Sequence, residues 1–228
     1  MLEIKQIEKY IWGIRESYHY EDVLSYLIIG EEKALLFDTG MGIYNIKEAV
    51  YKITNLPIIV LNSHSHFDHI GGNSLFDEIW IYNNEKIKNI AKNGVDKSII
   101  LENYVTEKFI KKPESFDLKN FEIKGFNYKK VLYDNYEINL KPFKFKVIHT
   151  PGHSIDHICI YEENKKFLFA GDLIYKGPIF IDNYTQFINS IKKINKLNPK
   201  KIFPGHNDFC ISEISLKLKK VNNNYYFL

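Results

Sequence analysis

The fold class this sequence predicts is α/β, arranged as a four-layer αββα sandwich of two sheets with helices on both outer sides. Three observations lead there. Short apolar runs of strand length recur along the chain, several end in polar or metal-ligating residues, and stretches with helical spacing separate them in two successive halves. Strands are expected at residues 4–11, 23–29 and 34–38, with Gly30-Glu31-Glu32-Lys33 as a turn between the last two. In residues 42–54 the apolar positions Ile43, Ile46, Ala49, Val50 and Ile53 fall at helical spacing. The run 56–61, with Pro57 near its head, reads as a buried strand, followed by a short helix near 70–76 and a strand at 78–82. The second half offers strands at 136–140, 143–149, 157–161 and 166–170, a helix at 184–197, a strand at 201–203 and a helix at 211–220. Between the halves, 85–109 has helical patterning through Ile87, Ile90, Ala91, Ile99, Ile100, Tyr104 and Phe109. The stretch after it carries Phe116, Phe121, Phe126, Tyr128 and Tyr133. These aromatics either line an apolar pocket or form a small core of their own.

A chain of 228 residues with 45% hydrophobic content is long enough for one large core. The net charge of +3 is mild, and Lys192-Lys193, Lys200-Lys201 and Lys219-Lys220 are spread among apolar residues as solvated faces, so no nucleic-acid partner is expected. Met1 to Trp12 mixes Glu3, Lys5, Glu8 and Lys9 with apolar residues, unlike a signal peptide. No run approaches the ~18 apolar residues of a membrane span. Cys159 and Cys210 make no disulfide framework and read as core thiols. The expected setting is cytoplasmic, with a small-molecule substrate as partner and the oligomeric state left open.

The densest chemistry lies in Asn62-Ser63-His64-Ser65-His66-Phe67-Asp68-His69-Ile70-Gly71-Gly72, directly after an apolar strand. Three imidazoles and a carboxylate at one strand end can converge on a metal, and the mixture suits zinc, iron or manganese better than calcium. Thr150-Pro151-Gly152-His153-Ser154, Ala170-Gly171-Asp172 and Pro204-Gly205-His206 each follow another short apolar run. Strand ends meeting on one edge would gather His64, His66, Asp68, His69, His153, Asp172 and His206. Seven ligands exceed the four of a tetrahedral zinc site, so two metals are called for. His149 and His157 read as structural, His19 as a loop residue, and Asp38 as a carboxylate orienting loops or a ligating imidazole.

Taken in order, these motifs make the chain resemble the metallo-β-lactamase-fold hydrolase superfamily, which includes glyoxalase II, acyl-homoserine lactonases, ribonuclease Z and flavodiiron proteins. The resemblance runs from Leu36-Phe37-Asp38-Thr39-Gly40 to Pro204-Gly205-His206. It implies one ion at His64, His66 and His153, a second at Asp68, His69 and His206, and Asp172 between them. It also implies a single domain over 1–228 whose segment at about 84–134 is a lid or substrate-selecting insertion. Zinc β-lactamases lack a bridging aspartate and commonly carry cysteine there, so a β-lactam substrate is not expected. Glutamate replaces His66 in flavodiiron proteins. The stretch after His206 is too short for the glutathione-gripping region of glyoxalase II. Tyr175 stands where acyl-homoserine lactonases carry a tyrosine that polarises the substrate carbonyl, and Lys176 beside it is a candidate for pairing with a substrate carboxylate or phosphate.

The reading is a dinuclear hydrolase with two divalent ions, zinc first and iron or manganese also fitting. A metal-bridging hydroxide would cleave an ester, lactone or thioester, with Asp68 carrying the proton to the leaving group. No Gly-x-Ser-x-Gly elbow is present. A phosphodiesterase on the same di-metal site, and a mononuclear iron oxidoreductase like persulfide dioxygenases using His64, His66 and His153, are the alternatives.

Overall fold

The computed structural model describes residues 2–17, 22–104, 114, 116–117, 119–212, 216–221 and 224–227. Along the first half run β1 (Glu3–Glu8), β2 (Ile11–Glu16), β3 (Val23–Ile29), β4 (Ala34–Phe37), α1 (Ile46–Tyr51), β5 (Ile58–Leu61), α2 (Phe67–Ile70) and β6 (Ile79–Tyr82). Then come α3 (Glu85–Asn93), α4 (Lys97–Tyr104), β7 (Lys130–Leu132), β8 (Glu137–Asn139), β9 (Lys144–His149), β10 (Ile158–Glu162) and β11 (Phe167–Gly171). Last are α5 (Tyr184–Asn195), β12 (Lys201–Pro204), β13 (Leu218–Val221) and β14 (Asn224–Phe227). Strands β1 to β7 lie side by side in sequence order as one sheet, and β12-β11-β10-β9-β8 form the second.

Side chains alternate across each sheet, and this alternation makes the layers. In β3, Leu24, Tyr26 and Ile28 face the second sheet, while Val23 and Leu27 face outward. The inner faces meet in a core where Tyr26, Phe37, Phe145, Phe169 and Phe203 pack together, with Phe169 and Phe203 stacked at 4.4 Å. Burying each such ring contributes roughly 1.5–3 kcal/mol. The Tyr26 hydroxyl satisfies itself in this core by donating to the Pro204 carbonyl at 2.6 Å, which ties β3 to the end of β12. Outside the first sheet, Ile46 and Val50 of α1 and Ile87 and Ala91 of α3 cover Leu36, Val60 and Ile81. Outside the second, Phe187, Ile191 and Ile194 of α5 cover Cys159, Leu168 and Ala170. Helix, sheet, sheet, helix is the expected αββα order.

Several expected elements differ. The strand expected over 4–11 is two strands: β1 pairs with β2 in register Glu3↔Arg15 to Glu8↔Ile11, so the chain reverses at Lys9-Tyr10, a pair with no turn-forming residue. The short helix near 70–76 is instead α2, which starts at Phe67, and a 3-10 turn at Asn73–Leu75. β7 lies in the irregular segment and pairs in parallel with β6. No helix spans 211–220 among the described residues. Ile211 bridges to Ile202, and Leu218–Val221 pairs antiparallel with Asn224–Phe227, because Leu216, Leu218, Tyr225 and Phe227 alternate onto the outer core of the second sheet.

Phe126 of the irregular segment is buried, and Phe116 and Phe121 contact each other at 5.0 Å and pack on the same outer core. Tyr128 and Tyr133 are exposed. Phe116, Phe121 and Phe126 therefore form the local core of the segment, and aliphatic residues of α3 and of 95–99 face the cleft described below.

Candidate metal centre

Every candidate ligand sits at or just past the end of a strand or in α2, on one edge of the sandwich. His64 and His66 follow β5, Asp68 and His69 lie in α2, His153 follows β9, Asp172 follows β11 and His206 follows β12. β4 and β5 are parallel, as are β11 and β12, so their C-terminal ends open on the same side, where α/β sheets place ligands. Two sheets thus share one site.

A chain of hydrogen bonds sets the orientation of each ring. Asp38, at the end of β4, accepts from the Ser63 amide at 2.7 Å, the Ser63 hydroxyl at 2.8 Å and His69 Nδ1 at 3.0 Å. Because the Ser63 proton goes to Asp38, the Ser63 oxygen accepts from His64 Nδ1 at 2.9 Å. His153 Nδ1 donates to the Phe180 carbonyl at 2.9 Å and His206 Nδ1 to the Asp22 carbonyl at 3.1 Å. With a proton held on Nδ1, all four rings turn Nε2 toward the centre, the atom left to face a cation. The α2 turn is fixed by Asn62, whose amide donates to the His69 carbonyl at 2.9 Å while its oxygen accepts from Asn73 at 2.8 Å.

His153 Nε2 lies 3.1 Å from His64 Nε2 and 3.0 Å from His66 Nδ1. On the other side, His69 Nε2 is 3.5 Å and His206 Nε2 3.6 Å from Asp68 Oδ2. Asp172 stands between the two groups. Its Oδ2 is 3.0 Å from His206, 3.4 Å from His153 and 3.9 Å from His64, and its Oδ1 is 3.2 Å from His69. Gly205 makes room for this carboxylate, since a Cβ there would fall 2.3 Å from Asp172 Oδ1.

The residues fit divalent cations. Ligands ~2.1 Å from a tetrahedral ion lie about 3.4 Å apart, which the facing distances bracket. His69 Nε2 and Asp172 Oδ1 are buried without a hydrogen-bond partner, a costly arrangement that a cation would relieve. Groups of His64-His66-His153, His64-His69-Asp172 and Asp68-His69-His206 each bring their donor atoms within 4.8 Å of one another.

Charge divides the cluster. Burial pushes the pKa values of His66 and His153 down to about 4, and that of His64 down as well. Burial opposes charge on His206 too, but Asp172 and Asp68 outweigh it and hold its pKa at about 9. The same carboxylates raise His69. Burial likewise works against an ionised Asp172, yet the surrounding His206, His69 and His153 keep its pKa well below the usual carboxylate range.

The cluster floors a cleft of about 870 Å³. Phe67, Ile90, Val95, Ile99, Phe180 and Ile181 make much of its wall apolar, and Tyr175, Asn224 and Tyr225 also line it. The Tyr175 hydroxyl donates to the Pro178 carbonyl at 2.7 Å, and its ring lies 5.1 Å from that of His206. Lys176 pairs with Asp208 at 3.4 Å. His157 is structural: its Nε2 accepts from the Asp172 amide at 3.1 Å and its Nδ1 donates to the Thr150 hydroxyl at 2.8 Å, so both nitrogens are occupied. His149 bonds the Ile155 carbonyl and stacks on Tyr82. Cys159 is buried, with its thiol pushed up to about 12, and Cys210 packs on the inner core. His19 lies outside the described residues. Sequence reasoning missed Ser63, Asp22 and Phe180, which orient rings. Only Ser63, inside the histidine motif, offered a signal, because the other two act through backbone carbonyls.

A family profile described as the metallo-beta-lactamase superfamily matches residues 21–206. The hydroxyacylglutathione hydrolase of Pelagibacter ubique is 31% identical over 205 residues, covering 84% of this chain and 72% of that protein. The acyl-coenzyme A thioesterase MBLAC2 of Bos taurus is 25% identical over 203 residues, covering 79% and 71% respectively. A solved metallo-beta-lactamase from Pontibacter korlensis superposes with a TM-score of 0.68 at 18% identity, covering 91% of this chain and 92% of that one, and so shares the fold. The profile spans most of the sequence, and the chain belongs to the metallo-beta-lactamase superfamily.

Proposed function

We propose that this chain, a metal-dependent hydrolase, cleaves a carboxylic ester, lactone or thioester with two divalent ions held between its sheets. His64, His66 and His153 would hold one ion, Asp68, His69 and His206 the other, and Asp172 would serve both. The observation that carries this reading is Asp172, a buried carboxylate with one oxygen facing His69 and the other facing His206, His153 and His64. When bound, such a pair supplies a hydroxide nucleophile from water at neutral pH and polarises the carbonyl under attack.

The chain's own residues do the rest. Asp38 and Ser63 hold His64 and His69 in the tautomer that leaves Nε2 free. Asp68, half-buried and lining the cleft, is placed to carry a proton to the leaving group. The apolar wall suits an acyl chain. Within the segment 84–134, read as the substrate-selecting part of a single domain, Ile90, Val95 and Ile99 would contact that chain. Thioesters have the most support among the three bonds, since one relative is named a thioesterase.

The test combines metal analysis with turnover of simple aryl esters, lactones and acyl thioesters. Two zinc ions per chain are expected, and His64→Ala, His153→Ala and Asp172→Ala should each abolish turnover while the protein stays soluble. Full activity of Asp172→Ala at unchanged metal content would overturn the dinuclear reading. One iron per chain with oxygen consumption on a thiol substrate would replace it with the oxidoreductase.

A further inference from the structure

We infer that Lys86 recognises an anionic oxygen group, a carboxylate or a phosphate, carried by the substrate next to the bond that is cleaved. This deepens the proposed hydrolase reading and rests on it.

Among the described residues lining the cleft, Lys86 is the only lysine or arginine. It lies in the first turn of α3, one turn before Ile90, so the charged and the apolar side chain share one helix face on the same wall. Its ammonium donates to the Ser154 hydroxyl at 3.1 Å. Ser154 is buried, and its own proton goes to Asp156, so it can only accept from Lys86. That contact anchors the side chain beside His153. Its charge also reaches His66, where after burial it is the next largest influence against protonation. An ammonium has three donors, and the bond to Ser154 uses one. No described carboxylate lies within ion-pair distance of Lys86, in contrast to Lys176 with Asp208 or Lys193 with Asp134. The carboxylates of the cleft itself, Asp68 and Asp172, face histidines instead.

A second observation points the same way. Ser65, between His64 and His66, lines the same cleft, and its hydroxyl is buried with no hydrogen-bond partner. Leaving such a group unmatched is costly, and an acceptor on a ligand would relieve it. An anchored cation and an unmatched hydroxyl beside the first histidine group form a polar end to an otherwise largely apolar cleft. An acyl compound with a charged oxygen group close to its carbonyl satisfies both ends. A fully apolar acyl chain would give the ammonium no counter-charge and the hydroxyl no acceptor.

The experiment compares wild type, Lys86→Met and Lys86→Arg on matched substrate pairs. One pair is 4-nitrophenyl pentanoate and 4-nitrophenyl hemiglutarate, with the charge on the acyl side. The other is the acetyl thioesters of propanethiol and of 3-mercaptopropanoate, with the charge on the leaving side. In at least one pair wild type should prefer the charged member, and Lys86→Met should reduce that preference by about 10- to 100-fold, chiefly through KM. Lys86→Arg should retain much of it. A purely structural link to Ser154 would change both members of a pair alike. The same preference in wild type and Lys86→Met for both pairs overturns the inference and leaves the hydrolase standing. Should wild type with its metals cleave none of the four, the hydrolase reading falls. Lys86 is then judged by calorimetric binding of glutarate, where weaker binding to Lys86→Met supports its role and equal affinity overturns it.

Discussion

At Asp38 the backbone adopts φ of 66°, a left-handed conformation that costs an L-residue roughly 1–2 kcal/mol. The return on that strain is a carboxylate aimed at Ser63 and His69 together, and through Ser63 at His64. A carboxylate at a strand end beside a histidine motif is visible in the sequence as an orienting group. Its division between two rings is not, because that depends on the left-handed turn. Tyr175 shows the complementary case. Its position was legible from its offset to Asp172, but its hydroxyl here donates to Pro178. To donate its one proton to a developing oxyanion it must release Pro178 and turn to the substrate. Tyr175→Phe is expected to lower kcat on the best carbonyl substrate by about 10² or less, with metal content and thermal midpoint near wild type. An unchanged kcat would mean that the hydroxyl only secures the turn.

Between β2 and the loop after β4, one buried side chain couples two elements. Glu16 accepts from the amides of Met41 at 2.7 Å and of Ile43 and Tyr44 at 3.1 Å each, and Gly40 leaves it room, since a Cβ there would meet Glu16 Oε2 at 2.3 Å. Burial raises its pKa from 4.5 to about 7 against the lowering effect of these amides. An acid whose folded pKa is raised contributes its stability fully below the unfolded value and loses it as pH climbs through the folded one. Stability should therefore fall between about pH 4.5 and 7, by on the order of 3 kcal/mol at most. Urea denaturation of metal-free protein at pH 5 and pH 7.5 checks this: Glu16→Gln should lose less stability over that interval than wild type, and equal losses would refute it. A polar residue in a strand gave no hint of this role, since its partners are backbone amides of a distant loop. The strands that carry the candidate ligands were legible because apolar runs stop abruptly at Asn62, Thr150, Asp172 and Gly205. The reversal at Lys9-Tyr10 and the β13–β14 hairpin were not, because the first lacks turn residues and the second has lysines and apolar residues that also fit a helical pattern.

Across the whole molecule, the candidate ligands come from both sheets: His64, His66, Asp68 and His69 from the first half, His153, Asp172 and His206 from the second. Ions held this way would bind only the closed sandwich and so would stabilise it by mass action, by about 2.7 kcal/mol at one hundred times the dissociation constant. Dialysis against a chelator is expected to lower the thermal midpoint by several degrees, and returning zinc should restore it. A midpoint indifferent to the chelator, with metal loss verified, would show that closure does not depend on the ions. The αββα order itself was readable from periodicity, since it needs only the faces of strands and helices. The C-terminal hairpin carries a consequence of another kind. Tyr225 of β14 accepts from the Ile179 amide at 2.8 Å, and the next residue, Phe180, offers the carbonyl that holds His153 and a ring 5.7 Å from it. The tail is thereby geared to one of the ring nitrogens at the heart of the molecule. A sequence change far downstream, touching neither the cleft floor nor the two sheets, would shift the orientation of His153, so drift in this hairpin between relatives becomes a way to retune the proposed chemistry while leaving the histidine motif untouched.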